Sequence, residues 1–204
     1  MPTAATIYGK KKAVRRLVLC FYQVAGPIGA RSSRRQTMSL TRAYIASDEI
    51  HPIDIVEAVA NHHDWEFDRL ADDEITMVVE GQWRNYVLTL AWVARDEVLR
   101  LVCAFDHDPP EGRLPLIYET INLANDQVWD GGFTYWGGER QMVWRYGLVL
   151  AGDIIASTRQ VDQMIASALA ACERFYPAFQ LVAWGQTAPR PALDIAFGET
   201  YGRA

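Results

Sequence analysis

Apolar positions along this chain recur with a period near 3.6 in some stretches and near 2 in others, and the changes of period mark its elements. After His51-Pro52-Ile53-Asp54, the residues Ile55, Val56, Val59, Ala60 and His63 follow one helical face. Proline suits a first helical turn, where its missing N–H has no partner to lose, and Asp54 and Glu57 meet the positive end of the dipole. From Trp65 to Phe105 the period becomes that of strands. Glu74–Glu80 is rich in β-branched side chains, and residues 98–105 form a further strand after a turn at Arg95-Asp96-Glu97. Between them, residues 84–94 set Tyr86, Leu88, Leu90 and Trp92 on one side against Val87, Thr89, Ala91 and Val93 on the other. Links this short predict an antiparallel meander.

Pro109-Pro110-Glu111-Gly112 interrupts the pattern before a second helix over 114–129, where Ile117, Ile121, Ala124 and Val128 repeat along one stripe. Gly131-Gly132 is expected to supply its left-handed stop. Strands over 133–136 and 140–150 meet at a Gly137-Gly138-Glu139 turn. Ser157 with Gln160 three residues on makes a capping box. The helix it opens turns Val161, Ile165, Ala168, Leu169 and Cys172 inward and runs to about Pro177. Residues 178–184 read equally as a helix continued past Pro177 or as a strand, and 189–198 as a short terminal helix. The order is α-β-β-β-α-β-β-α. This is an α+β fold, an antiparallel sheet with helices packed on it, formed by a single domain over 38–204.

Half of the residues are apolar, enough for one well-buried core at 204 residues. Charge is unevenly spread. Residues 1–37 hold eight basic side chains and no acid, which leaves twelve basic against twenty-five acidic residues afterwards, a formal net charge near −13. A body so negative repels phosphate backbones and anionic membranes, which argues against a nucleic-acid or membrane partner. Residues 1–37 read as a basic extension, disordered or preceding a true start at Met38. Lys10 to Tyr22 has the basic and apolar parts of a signal peptide, but Gln23, Gly26 and Pro27 break it. No apolar run reaches the roughly 18 residues of a membrane helix. Cys20, Cys103 and Cys172 make neither a disulfide framework nor a C-x-x-C metal pattern, and free thiols at apolar-periodic positions suit a reducing cytoplasm.

Candidate chemistry is sparse. Asp106-His107-Asp108 looks most like a catalytic cluster, since a histidine beside carboxylates can act as a base. Adjacent side chains of an extended chain point to opposite sides, however, so the three form no relay by themselves. His62 and His63 stand about 100° apart on a helix, and no further ligands complete a metal site. The glycine pairs lack the order and the preceding strand of a phosphate loop. No cofactor is expected.

The run Cys172-Glu173-Arg174-Phe175-Tyr176-Pro177-Ala178-Phe179-Gln180-Leu181-Val182, with Trp184-Gly185 after it, resembles the hallmark of the YbjN-domain family. Residues 84–92, Cys103-Ala104-Phe105-Asp106, the Ile121-Asn122-Leu123-Ala124-Asn125 helix and the Trp129 to Phe133 junction match as well, and residues 1–37 do not. Members are described as bacterial sensory-transduction regulators. The resemblance implies a fold similar to type III secretion chaperones, small dimeric proteins that hold partner segments, and it transfers no catalytic residues. The expectation is a non-enzymatic, protein-binding regulator or adaptor that pairs with another protein or with itself. The alternative is an enzyme of unfamiliar type with a site around Asp106 and His107. Apolar residues on both sides of 84–94 mean that both faces of the sheet need cover. The bulkier side, Tyr86, Leu88, Leu90 and Trp92, is the candidate interface of a homodimer. Otherwise the helices lie on that side and the smaller one, with Thr89 and Ala91, faces solvent.

Overall fold

The computed structural model describes residues 50–201 apart from Asp153, with side chains as far as Gly198. The expectations for residues 1–37 lie outside these. Helix α1 (Pro52–His62) leads into strands β1 (Phe67–Ala71), β2 (Glu74–Glu80), β3 (Asn85–Val93) and β4 (Val98–Asp106). A 3₁₀ turn (Glu111–Arg113) precedes helix α2 (Leu114–Asn125), strands β5 (Gly132–Trp136) and β6 (Gln141–Val149), and helices α3 (Thr158–Ala183) and α4 (Pro189–Tyr201). The strands form one antiparallel sheet in the order β1-β2-β3-β4-β6-β5. Strand β1 is the one element that the pattern of residues 65–105 did not resolve. It is a five-residue edge strand, irregular between Arg69 and Ala71, with an exposed Asp68 and Arg69 that blur any alternation.

Register explains which face is the core. Met77, Leu88, Cys103, Trp144 and Phe133 lie side by side across five strands, and Ile75, Leu90, Leu101 and Tyr146 make the next row. Helix α1 covers this face over β2 and β3, and α3 covers it over β4 and β6. The fully buried α3 residues Val161, Ile165, Ala168, Cys172, Phe175, Phe179 and Val182 alternate steps of four and three, which keeps one straight stripe against the sheet. Each large apolar side chain enclosed here contributes about 1.5–3 kcal/mol of transfer free energy. Leu169, expected inward, is only half-buried, since it sits one residue off that stripe.

The N-terminus of α3 forms as its residues predict. The Ser157 hydroxyl accepts from the Gln160 amide at 3.2 Å, and the Ser157 amide donates to Gln160 Oε1 at 2.8 Å. The helix continues through Pro177 to Ala183, which settles the ambiguity over 178–184. Proline there removes an amide that would have bonded Glu173. The burial of Phe175, Ala178, Phe179 and Val182 on both sides of it outweighs that loss.

The second helix is shorter than its periodicity suggested, ending at Asn125. Its stop is not a left-handed glycine, for neither Gly131 nor Gly132 has positive φ. Instead the Asn125 side-chain amide bonds Phe133 from both ends, accepting from its N–H at 2.7 Å and donating to its carbonyl at 3.1 Å. Gly131 is needed for space, because a Cβ there would lie 2.5 Å from Trp144 Cζ2.

The candidate dimer face is corrected by the same packing. Tyr86, Leu88 and Leu90 are fully buried and Trp92 half-buried, all against the helix-covered core. Helix α1 packs over β2 and β3 and α3 over β4 and β6, so Tyr86, Leu88 and Leu90 themselves offer no surface to a partner. On the reverse of β3, Thr89, Ala91 and Val93 are also shielded from solvent rather than open to it, and the Thr76 hydroxyl bonds the Leu88 carbonyl at 3.0 Å and Thr89 Oγ1 at 3.2 Å. No helix among the described residues is long and apolar enough to cross a membrane.

Candidate functional site

One end of the core face differs from the rest. Beyond the hydrocarbon rows, the β2–β3 turn, the end of β4 and the C-terminal half of α3 bring Arg84, Tyr86, His107 and Glu173 together with aromatic rings. Alternation along β4 carries His107 to the same side as Phe105 and leaves Asp106 on the other, so the strand separates the two residues of the candidate catalytic pair. Asp108 points away as well, pairing with Arg140 at 2.8 Å near the surface.

His107 is 1 % exposed and enclosed by Phe105, Tyr135, Phe179 and Trp184, whose ring centres lie 5.2–6.4 Å from its own. Neither ring nitrogen has a hydrogen-bond partner. Burial, and after it the Arg84 guanidinium, lowers its pKa from 6.5 to about 4 against a smaller opposing pull from Asp108. The ring is therefore neutral near pH 7. It is enclosed away from solvent, with the Asp106 carboxylate on the opposite side of the strand.

Arg84 lies 5.8 Å from the centres of both the Phe105 and the Tyr176 ring. It donates to the Asp106 carbonyl and stands 3.7 Å from the Asp106 carboxylate. Its Nε is buried without a partner, as are the Tyr86 hydroxyl and both Glu173 oxygens. Tyr86 faces Glu173 without meeting hydrogen-bond geometry, and burial first, then that carboxylate, push the tyrosine pKa well above its usual value. Buried polar groups are normally spread thinly among apolar ones, so Arg84, Tyr86 and Glu173 gathered at one end of the sheet set that end apart from the hydrocarbon rows.

Half-exposed aromatics lead from this cluster to the surface. Trp83 on the β2–β3 turn stacks on Tyr176 at 6.2 Å, Tyr176 meets Phe105 at 5.6 Å, and Trp184 covers His107 at 5.2 Å. On the far side Tyr135 touches Tyr118 at 6.3 Å. Arg113 fixes the end of α3 beneath Trp184, its Nε and Nη2 donating to the Val182 carbonyl at 2.8 and 2.6 Å. A cation on the last carbonyls of a helix also suits the dipole. Sequence patterning missed Arg113, Arg84 and Glu173, because their partners lie on other elements. The one available signal was the family resemblance, whose matching segments include Arg84, Phe105, Glu173, Tyr176 and Trp184.

His63 pairs with Asp162 at 2.7 Å and stacks on Trp65. Among the described residues no group of three or more His, Cys, Asp or Glu is placed to hold a metal ion.

Comparison with protein families returns the YbjN model over residues 52–181, from the first residue of α1 into the last third of α3. That is more than half of the chain. The chain belongs to the YbjN family. The family is described as a "putative bacterial sensory transduction regulator". Comparisons with curated proteins and with solved structures give no match. The YbjN match takes in Arg84, Tyr86, Phe105, His107, Glu173, Tyr176 and Phe179, while Trp184 and α4 follow it.

Proposed function

We propose that this YbjN-family chain is a non-enzymatic regulator that binds another protein, or a second copy of itself, as a chaperone-like adaptor in the cytoplasm, and that the aromatic end of the sheet is where the partner seats. The observation that carries this is the half-exposure of Trp83 (44 %), Trp184 (50 %) and Tyr118 (53 %) at the ends of a buried aromatic floor. Tryptophan and tyrosine side chains anchored in this way give an interface large, stiff contact area at small entropic cost. Arg84 and Glu173 behind them supply unmet polar groups that a partner's main chain can satisfy once Trp184 swings aside.

The test begins with purification of the tagged protein at native abundance and identification of what accompanies it. Binding is then measured between the two purified proteins. Trp83→Ala and Trp184→Ala should each weaken binding at least tenfold with Tm unchanged within a few degrees. Trp129→Ala, almost fully exposed on another loop, should not weaken it. If the partner is a second copy, light scattering reads the same outcome as a dimer in the wild type and a monomer in the two variants. Undiminished binding by both variants would rule out this surface.

A further inference from the structure

Cys103 and Cys172 are free thiols from elements 69 residues apart, one on β4 and one on α3, and both are completely enclosed. Their sulfurs stand 3.6 Å apart. This is about the van der Waals contact of two sulfur atoms, and a covalent bond of roughly 2.05 Å needs a further approach of about 1.5 Å. Cross-strand neighbours of Cys103 are Leu88 and Trp144, and the Tyr86 hydroxyl and Glu173 carboxylate lie near the pair at the edge of this apolar layer. We infer that Cys103 and Cys172 are a redox pair, a dithiol in the reduced protein that an oxidant closes to an intramolecular disulfide locking α3 onto β4.

The chemistry balances with either of two oxidant classes. With a peroxide, one thiolate attacks oxygen, a sulfenic acid forms and water leaves. The second thiol then displaces the hydroxyl as another water to make the S–S bond. With a small-molecule disulfide, the first thiolate forms a mixed disulfide and expels one thiol, and the second displaces the other. Both routes remove two protons and two electrons from the protein.

Burial keeps Cys172 in its unreactive thiol form, so reaction proceeds through a local opening that lifts α3 from the sheet. The position gives the lock a consequence. Cys103 lies two residues before Phe105 on one face of β4, and Cys172 one helical turn before Tyr176. A bond between them clamps the two elements beside the Phe105–Tyr176 contact at the floor of the aromatic site.

The full chain carrying Cys20→Ala, which leaves only these two thiols, decides it. The protein is treated with hydrogen peroxide or oxidised glutathione, in buffer and in sub-denaturing urea. Expected are a mass loss of about 2 Da for two hydrogens, without adduct, and a linked Cys103–Cys172 peptide on non-reducing digestion. Formation should be faster in urea. A Tm gain of roughly 5–15 °C, abolished by reductant, should follow from closing a loop of this length. With Cys172→Ala added, neither the mass loss nor the gain should appear. Two thiols still alkylated in full denaturant after every treatment, or glutathione held stably on one of them, would overturn the pair. A bond that forms and lowers Tm would overturn the lock.

Discussion

Acid should destabilise this protein through His107 before its carboxylates begin to titrate. In the folded chain the imidazole is enclosed by four aromatic residues and stays neutral down to about pH 4, whereas an unfolded chain takes up the proton near 6.5. Above pH 6.5 both states are neutral there and stability is full. Between 6.5 and 4 only the unfolded state binds the proton, so stability falls as pH falls, by up to 1.36 kcal/mol for each pH unit. The span from 6.5 to about 4 makes a total of about 3 kcal/mol. By pH 5 the loss is about 2 kcal/mol, and stopping there avoids most of the carboxylate range. Urea melts at pH 7.5 and pH 5.0 measure it. The wild-type midpoint should drop by roughly 1 M, given a slope of about 1–3 kcal/mol per molar urea. His107→Leu, still cooperative at pH 7.5, should lose most of that pH dependence. Equal losses in wild type and variant would show that the proton goes elsewhere and that the ring is less enclosed than the structure makes it.

Position along α3 should sort mutational costs. Phe175→Ala removes a fully buried ring and should cost about 3–5 kcal/mol in urea melts, with Leu169→Ala well below it because Leu169 is half-buried; the reverse order would misplace the helix face. Gly81→Ala would put a Cβ 2.0 Å from Glu173 Oε1 and 2.5 Å from Tyr86 Cε2. Glu173 can swing, but the buried Tyr86 ring cannot, so about 1–3 kcal/mol should be lost, while Gly112→Ala, with nothing within 4 Å, stays within about 0.5 kcal/mol. Ser157→Ala removes the hydroxyl of the capping box and should lower Tm by a few degrees for a loss of about 1 kcal/mol. An unchanged melt would mean that the first turn of α3 is held by packing alone.

Local chemistry was enough to identify most of the elements. A proline and an acid at a helix start, a serine three residues before a glutamine, and alternation over 84–94 each report on the residues that carry them, whatever lies across the core. Family membership was legible for the same reason, since the Cys172–Val182 run is continuous. Other features depended on partners that no local pattern names. Whether α3 stops at Pro177 is decided by Phe179 and Val182 finding the sheet beyond it. Which side of β3 the helices cover is decided by where α1 docks on β2 and β3, because both sides of the strand are apolar and either satisfies the pattern. The candidate site is of this second kind throughout. His107 is isolated from Asp106 by strand alternation, yet what encloses it is Trp184 and Phe179, more than 70 residues away, and Arg84 reaches Tyr176 over a similar separation. Two cysteines that read as unrelated small hydrophobes touch for the same reason: sequence periodicity specifies which face a residue takes, and only packing specifies what it meets there.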